Sequence, residues 1–364
     1  MPSTSGMKPG GFYDSHSDTQ GAAIDAFLPW LVEAIGELPI PPTGGPPLTL
    51  LDLGSSQGKN AIRAMRGLAE AIRRRTESPA WVLFSDLPTN DFNRLFANLF
   101  PHGPGSTPAL GEGVFAAAVA GSAYGLIVPP ASLHVATSFN MIGWLDALPH
   151  ARLPRYLLAT GPSARGDRSA VTDEEREPFR RQAASDLRRF YRARAGELVP
   201  DGKLLIQVFG RDEANDRSAS DGIYDVLSAA LLDLVDDGTL PAEVYEDLIF
   251  PLYFRTTREL VEPIESEPDL ASAFRVDRAE TVETPVPFNA ELERDGGHGE
   301  WARRFTGFLR AFTEPVVAAA IPTNLAAEEI LASLYRRVET RLEEDPDRYE
   351  FRFISVGALL TRLG

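Results

Sequence analysis

The chain has 364 residues and a mass of 39.7 kDa, with 36 basic and 52 acidic side chains and a net charge of −16 at pH 7. This excess of acid argues against nucleic acid as a partner, because a phosphate backbone is neutralised by clustered Lys and Arg. With 43% hydrophobic residues, the composition is globular and excludes wholesale disorder. The chain has no cysteine and five histidines, which excludes thiolate catalysis and leaves few ligands for a metal centre.

The sequence shows no sign of membrane insertion or secretion. No apolar run reaches the roughly 20 residues needed to cross a bilayer. The first residues, MPSTSGMKPGG, lack the charged and apolar segments of a signal peptide. We therefore expect a cytoplasmic protein.

The first part of the chain alternates between helix and strand patterns. Apolar residues lie at helical spacing over 20–37, with Pro29 as a discordant residue, and LTLLDLG (48–54) is a continuous apolar run typical of a buried strand. The alternation continues with helices at 59–75 and 90–99 and strands at 80–85, 114–120, 132–138 and 203–209. Strands separated by helices predict a parallel α/β sheet with helices on both faces.

The later part of the chain predicts helices added to this sheet. Residues 167–197 are dense in Arg, Asp and Glu, which indicates a long solvated helix. Helical patterns follow at 218–236, 240–250, 299–321 and 325–344, and strand-like apolar alternation at 274–284 and 349–361. We divide the chain into a main α/β core (1–212), a helical cap insertion (213–271), a core strand (272–288), a second cap and packing segment (289–347) and a final core strand (348–364).

The most informative local feature is LTLLDLGSSQGKN (48–60), in which a buried strand runs into a glycine turn and then a helix. It fails as a phosphate loop, because Gly54 and Gly58 enclose three residues instead of four and Asn60 replaces the metal-binding Ser or Thr. It also lacks the G-x-G-x-x-G dinucleotide fingerprint.

The same turn matches the G-x-S-x-G nucleophile elbow of an α/β-hydrolase, with Ser56 as the nucleophile. The triad would need a later histidine, and His298 is placed for that role. Only one helix precedes the turn and no HGG-like segment exists, which argues against this alternative.

The turn also fits the D-x-G-x-x-x-G pattern of a fold that binds S-adenosylmethionine (SAM). Its glycines let the backbone approach a ligand, and Asp52 at the strand end would face the cationic methionine portion. The next strand should end in an acid that takes both ribose hydroxyls, and Asp86 stands there. Either Asp alone could be a helix N-cap. Two Asp residues at the ends of successive strands favour the interpretation as a cofactor site.

Four separated motifs resemble the SABATH family of SAM-dependent carboxyl methyltransferases, which methylate salicylate, benzoate, indole-acetate, jasmonate and related acids. MKPGGFYDSHSDTQ (7–20) is similar to the family's Met-x-Gly-Gly start with its Tyr and Asn-Ser-x-x-Gln, and DLGSSQGKN (52–60) to DLGCSSGPN. SDLPTNDFNRLF (85–96) is similar to NDLPxNDFNxLF. GSAYGLIVPPASLHVATSFNMIGWLDALP (121–149) is similar to GSFYGRLFPxxSLHFxHSSYSLHWLSxVP without a gap.

The resemblance implies a class I SAM-methyltransferase fold, a Rossmann-like α/β sheet with a helical cap, and a homodimer. It implies that SAM, converted to S-adenosyl-L-homocysteine (SAH), is bound by Tyr13, Ser17, Asp52, Gly54, Ser55, Asn60, Asp86, Leu87, Ser122 and Ala123. It implies that the substrate carboxylate is held by Gln20 and Trp144. The rest of the acceptor pocket would be lined by Asn140, Met141, Ile223 and Tyr224.

The chain departs from the family pattern at several positions. Ser55 replaces a Cys, Asn140 a Tyr and Gly143 a His, and the last two changes predict a wider or more apolar acceptor pocket. The later DSFNxPxY motif, where some members are thought to place magnesium, is EDLIFPLY here. We therefore predict no metal.

The chemistry of carboxyl methylation suits this composition. A carboxylic acid has a pKa near 4, so the acceptor is already an anion and no general base is required. By its resemblance to bacterial fatty-acid O-methyltransferases, the protein is predicted to convert a medium-chain fatty acid or another hydrophobic acid to its methyl ester. The excess of Arg over Lys hints at a GC-rich bacterial genome. The alternatives are a methyltransferase of small aromatic acids (benzoate, salicylate, indole-acetate), a hydrolase using Ser56, and a non-catalytic SAM-binding protein.

Overall fold

The structure, a computed structural model, describes residues 6–41, 45–103, 106–161, 171–292, 294 and 297–364. Its main strands are β1 (Leu48–Leu53), β2 (Ala80–Asp86), β3 (Val114–Ala120), β4 (Leu133–Phe139), β5 (Leu198–Phe209), β8 (Phe274–Thr284) and β9 (Phe353–Arg362). Between β5 and β8, a small hairpin is formed by β6 (Arg211–Asp212) and β7 (Arg217–Ser218). Every strand predicted from the sequence is confirmed, with boundaries shifted by a few residues.

The main strands form one seven-stranded sheet of order β3-β2-β1-β4-β5-β9-β8. Strands β1 to β5 pair in parallel, whereas β9 runs antiparallel to both of its neighbours, β5 and β8. The prediction of a parallel sheet is therefore confirmed with β9 as the exception. The strand order reverses between β1 and β4, and a crevice forms at the carboxyl ends of parallel strands at such a point.

The longer helices match the predicted ones, and several short helices were not predicted. The helices are α1 (Phe12–Ser15), α2 (Asp18–Ala34), α3 (Lys59–Arg73), α4 (Phe92–Leu99), α5 (Asp173–Glu197), α6 (Ile223–Asp236), α7 (Ala242–Asp247), α8 (Thr257–Ser266), α9 (Pro268–Ala273), α10 (His298–Ala320) and α11 (Ala327–Glu344). Short 3-10 turns span Ile35–Glu37, Met141–Gly143 and Pro287–Glu291. Among the α-helices, α1, α8 and α9 lack a counterpart in the prediction.

Both faces of the sheet are covered, as the continuous apolar run of β1 requires. Leu48 and Leu50 face a cluster shared with α2 and α3, and Leu51 and Leu53 face a cluster shared with α5, α8 and α9. The prediction that residues 167–197 form a solvated helix is wrong for one face of α5. That face buries apolar residues together with the charged residues Asp186, Arg194 and Glu197. Residues 167–170 lie outside the described residues.

A third apolar cluster joins α6, α10 and α11 and reaches the sheet at Phe353 and Ile354, the start of β9. Its centre is aromatic, with Trp301, Phe305, Phe308 and Phe351 packed against one another. Residues 213–271 are thus divided between two parts of the fold: α6 belongs to this cluster, whereas α8 and α9 pack on the sheet. Within the described residues, no helix is long and apolar enough to cross a membrane.

Candidate active site

A cavity opens at the carboxyl ends of β1 to β5, beneath the helical cluster of α6 and α10. Its empty volume is about 1220 Å³, including open space at its mouth. The strand ends contribute Gly54, Asp86, Gly121, Asn140 and Phe209 to its wall. The N-terminal segment, the loops and the cap contribute Gly6, Met7, Tyr13, Gln20, Tyr124, Trp144, Leu145, Ala219, Ile223, Tyr224, Leu252, Phe254, Phe308, Phe312 and Phe353. The cavity therefore lies where the reversal of strand order predicts a ligand site.

The glycine turn after β1 is held tightly against its neighbours. Gly54 and Gly58 have φ angles of 86° and 98°, and Ser56 has a φ of 49°. The backbone N–H groups of Gly54 and Ser55 both donate to the carbonyl of Ser85, at 2.8 and 3.0 Å. A Cβ on Gly54 would lie 2.6 Å from the Cβ of Met141. Glycine is therefore required at position 54 for both conformation and space.

Asp86 joins the end of β2 to this turn. Its Oδ2 accepts a hydrogen bond from the N–H of Ser56, and its Oδ1 accepts one from the N–H of Leu87, both at 2.7 Å. Burial raises the pKa of Asp86, while the two N–H donors oppose that rise. Each carboxylate oxygen can accept a further hydrogen bond, so Asp86 can hold a pair of ligand hydroxyls at the cavity wall.

Asp52 does not line the cavity and lies behind its wall, with 2% of its surface exposed. Its Oδ1 accepts a hydrogen bond of 2.7 Å from the Oγ1 of Thr137. Burial raises the pKa of Asp52 from 3.8 to about 6, and the neighbouring Asp86 adds to the rise. The negative charge of Asp52 thus lies beneath the glycine turn at neutral pH, and no cation among the described residues forms an ion pair with it.

We expect the Asp52→Asn variant to be more stable than the wild type at neutral pH. The folded-state pKa of about 6 exceeds the unfolded value of 3.8, so wild-type stability falls as the pH rises through this window. This difference between the two pKa values lowers the free energy of unfolding of the wild type by about 3 kcal/mol at pH 8. Urea unfolding at pH 4 and pH 8 measures it. A free-energy difference between the two proteins that does not change with pH would contradict the assignment.

Three other predicted cofactor residues, Ser17, Ser55 and Asn60, also lie behind the cavity wall. The amide nitrogen of Asn60 donates to the backbone oxygen of Ser17 at 2.9 Å and to its Oγ at 3.1 Å, which ties the start of α3 to the start of α2. The Oγ of Ser55 donates to the backbone oxygen of Asp52 at 3.1 Å. Direct contact of these residues with a cofactor stays a prediction. The predicted cofactor residues on the wall itself are Tyr13, Gly54, Asp86, Leu87, Ser122 and Ala123.

The wall segment that contains Ser122 and Ala123 is fixed by a buried ion pair that the sequence analysis missed. Arg194 donates to the backbone oxygens of Ala123 and Gly125, at 3.0 and 2.8 Å, and pairs with Glu197 at 2.7 Å. Both charged side chains are fully buried. Because i and i+3 pairs are common on solvated helices, their spacing on α5 carries no signal of this role.

The predicted acceptor residues all reach the cavity: Gln20, Asn140, Met141, Trp144, Ile223 and Tyr224. Buried Gln20 has an amide oxygen without a hydrogen-bond partner among the described residues. The backbone of Trp144 is held in two ways. Its oxygen accepts a hydrogen bond from the hydroxyl of Tyr124, and the residue forms an isolated antiparallel β-bridge with Leu252. The structure therefore brings a side-chain amide and an indole to one cavity.

Asn140 has a role in the turn that follows β4. Its φ is 58°, a conformation that Asn tolerates well. Its Oδ1 accepts hydrogen bonds from the Nε2 of Gln207 at 3.1 Å and the N–H of Phe209 at 3.2 Å. The ring of Phe209 fills the space where a side chain at position 143 would be, so the glycine leaves no empty space there. A wider or more apolar pocket stays a prediction.

The aromatic side of the cavity was also missed. Phe308 and Phe312 come from α10, Phe353 from the start of β9 and Phe254 from the loop before α8. Phe308 and Phe312 show helical i, i+4 spacing, which could have indicated a shared face but not what it contacts.

The geometry does not support the hydrolase alternative. The Oγ of Ser56 has no hydrogen-bond partner in the described part of the chain. His298 is exposed at the first residue of α10 and is not part of the cavity wall. A nucleophilic serine needs a base within hydrogen-bond reach, and no such base is present among the described residues. They also contain no cluster of three or more His, Cys, Asp or Glu that could hold a metal ion.

The strand order, the glycine turn after β1 and the acid at the end of β2 define an α/β protein of the SAM-dependent methyltransferase class. A profile of the SAM-dependent carboxyl methyltransferases matches residues 4–363. The chain belongs to this family, and it is a SAM-dependent methyltransferase.

Curated relatives and a solved structure agree with this assignment. Gibberellic acid methyltransferase 2 of Arabidopsis thaliana is 26% identical over 352 residues, which cover 92% of this chain and 87% of the relative. Indole-3-acetate O-methyltransferase 1 of rice (Oryza sativa subsp. japonica) is 28% identical over 356 residues, covering 91% and 84%. A structure of loganic acid methyltransferase with SAH is 25% identical, covers 98% of this chain and 99% of that one, and superposes with a TM-score of 0.80. The class I SAM-methyltransferase fold is thereby confirmed.

The residues that line the cavity fit this cofactor. Asp86 offers acceptors for ribose hydroxyls, and the buried Oγ atoms of Ser56 and Ser85 lack partners among the described residues while both residues line the cavity. Buried polar atoms of folded proteins nearly always have a partner. A polar ligand in the cavity would provide one.

Proposed function

We propose that this enzyme converts a free hydrophobic carboxylic acid to its methyl ester, with a medium-chain fatty acid as the first candidate. The observation that carries the proposal is the composition of the cavity wall beyond Gln20 and Trp144. Besides polar members such as Ser122, Asn140 and Asp146, the wall contains a large apolar and aromatic set: Phe139, Met141, Leu145, Phe209, Ala219, Ile223, Tyr224, Leu252, Phe254, Phe308, Phe312 and Phe353. Such a wall favours an acid whose remaining surface is apolar.

The acceptor carboxylate would be held by neutral donors. The charged side chains among the described lining residues are Asp86 and Asp146, which do not attract an anion. Lys8, which follows the lining residue Met7 in the chain, pairs with Glu314 of α10. The side-chain amide of Gln20 and the indole N–H of Trp144 can donate to a carboxylate without neutralising it. The acid therefore keeps the negative charge that makes it a nucleophile.

The chain's task is to position the acid and to exclude water. The acceptor is already ionised at neutral pH, so proton removal is not required. SAM, when bound, supplies a methyl group on a positively charged sulfonium. The aromatic wall keeps the carboxylate away from solvent, and Gln20 and Trp144 orient one oxygen for in-line attack. The negative charge of the carboxylate and the positive charge of the sulfonium both decrease towards the transition state. A dry cavity therefore favours the transition state over the solvated ground state.

Small aromatic acids are the second candidate class. Curated relatives include a benzoic acid/salicylic acid carboxyl methyltransferase of Petunia hybrida, 26% identical over 332 residues, and the indole-3-acetate enzyme of rice. A bacterial source, a cytoplasmic location, a homodimer, and the division into core and cap stay predictions.

The deciding experiment is incubation with methyl-labelled SAM and a panel of acids: straight-chain acids of increasing length, benzoate, salicylate and indole-acetate. We expect labelled methyl ester from medium-chain acids. If SAH binds and no acid yields an ester, the proposed function is wrong.

The Ser56→Ala variant is expected to keep at least about a tenth of wild-type turnover, because the serine hydroxyl has no base beside it. A hydrolase would lose nearly all activity on removal of its nucleophile. The variant is assayed for methyl-ester formation and, in parallel, for hydrolysis of a p-nitrophenyl ester. Ester hydrolysis by the wild type that disappears in the variant would restore the hydrolase alternative.

A further inference from the structure

The space beside Gly143 is filled by a side chain from another strand. A Cβ on Gly143 would lie within 3.1 Å of three atoms of the Phe209 ring, Cζ, Cε1 and Cε2. Non-bonded carbon atoms prefer separations of about 3.5–4.0 Å. A side chain at position 143 and the present position of the Phe209 ring are therefore mutually exclusive.

The position of Phe209 is fixed from two sides. Its backbone N–H donates to the side-chain oxygen of Asn140 at 3.2 Å, and its ring packs against Phe254 with 4.8 Å between centroids. The carbonyl of Gly143 accepts a hydrogen bond of 2.9 Å from the N–H of Tyr253. The ring is thus held against the turn that leads into Trp144, and it forms part of the cavity wall.

We propose that Phe209 determines acceptor specificity by narrowing the cavity next to the carboxylate donors. This rests on the proposed function, because it takes Trp144 and Gln20 as those donors. Gly143 is the residue before Trp144, so the ring that covers Gly143 borders the place where the carbon next to the carboxylate must lie. An unbranched CH₂ at that carbon fits beside the ring. A benzene ring or a branch attached directly to the carboxyl carbon would compete with the phenyl group for the same space.

Four proteins test the pairing: the wild type, Gly143→Ala, Phe209→Ala and the double variant. In Phe209→Ala we expect kcat/KM for benzoate to rise at least about tenfold relative to octanoate, which is about 1.4 kcal/mol of discrimination. In Gly143→Ala the new methyl group pushes the ring into the cavity and lowers kcat/KM for both acids. Position 143 does not have a positive φ, so alanine adds no backbone strain.

The double variant distinguishes a steric pair from a general loss of packing. The alanine methyl group at position 143 fits once the ring is gone, so the cost of Gly143→Ala should disappear in the Phe209→Ala background. Phe312→Ala is the matched control, because it removes a phenyl group from the cap side of the same cavity. In that background the cost of Gly143→Ala should persist.

The outcomes separate this proposal from the one on which it rests. If the wild type methylates neither acid, the proposed function fails and the role of Phe209 fails with it. If the wild type methylates octanoate but Phe209→Ala leaves the ratio of the two kcat/KM values unchanged, only the role of Phe209 is overturned. A wild-type preference for benzoate, or additive effects in the double variant, would also overturn it. Binding of SAH by each variant, measured by calorimetry, shows that the cofactor side is intact.

Discussion

Replacing Asp86 with asparagine should weaken the binding of SAM and SAH at least about 100-fold. The carboxylate accepts hydrogen bonds from the N–H groups of Ser56 and Leu87, one on each oxygen. An asparagine offers an NH₂ group to one of these donors, so a donor faces a donor and one of the two hydrogen bonds accepted by this side chain is lost. The substitution also removes the paired acceptors for ribose. A hydrogen bond to a charged group contributes about 1.5–3 kcal/mol, and two such losses exceed 100-fold.

Calorimetric titration of Asp86→Asn with SAH measures this effect, and circular dichroism checks that the variant is folded. The control is Glu112→Gln, which makes the same chemical change on an exposed carboxylate just before β3. It should bind SAH as the wild type does. A folded Asp86→Asn protein with wild-type affinity would show that Asp86 holds the turn but does not hold the ligand.

The central strands of the sheet, such as β1 and β4, could be predicted from sequence because they are buried on both faces. Such strands are continuously apolar, as in LTLLDL (48–53), and the Gly and Pro residues around them mark the ends. The antiparallel direction of β9 could not be predicted in this way, because alternation shows a strand but not its direction. The short helices α8 and α9 were missed for a related reason. Each is ten residues or fewer, too short for a periodic pattern to establish.

Charge was the least reliable guide to burial. The many Arg, Asp and Glu residues of α5 predicted a solvated helix, yet Arg194 and Glu197 are buried and hold the wall of the cavity in place. Buried ions need a partner and hydrogen bonds that satisfy them. Here the partners include the backbone of residues 123–128, about 70 positions away along the chain, which no local pattern reveals.

The candidate site was predictable where it is built from local motifs. The glycine turn and Asp86 are adjacent in the fold because the ends of parallel neighbours β1 and β2 meet at one edge. The shape of the acceptor side depends on residues from distant segments. The consequence of a glycine at position 143 depends on Phe209, 66 positions later, so the change from a large residue to glycine does not by itself show how much space lies there.

The Trp144→Phe variant should lose about 10- to 100-fold in kcat/KM for the acid while binding SAH as tightly as the wild type. Phenylalanine keeps an aromatic ring in the wall and removes the indole N–H donor together with the five-membered ring that carries it. A hydrogen bond from this donor to a carboxylate contributes about 1.5–3 kcal/mol. The backbone of Trp144 is held by Tyr124 and Leu252 independently of its side chain, so the turn should keep its position.

Steady-state kinetics with the preferred acid and calorimetry with SAH measure the two effects separately. Trp81→Phe provides the matched control, because Trp81 lies on β2, is 39% exposed and is not part of the cavity wall. It should leave both quantities unchanged. If Trp144→Phe keeps wild-type kcat/KM, Trp144 contributes packing alone, and the carboxylate must be held by Gln20 and other donors. If both SAH affinity and kcat/KM fall, the substitution has disturbed the whole cavity. The predicted result, lost turnover with retained cofactor affinity, is specific to a residue that holds the acceptor.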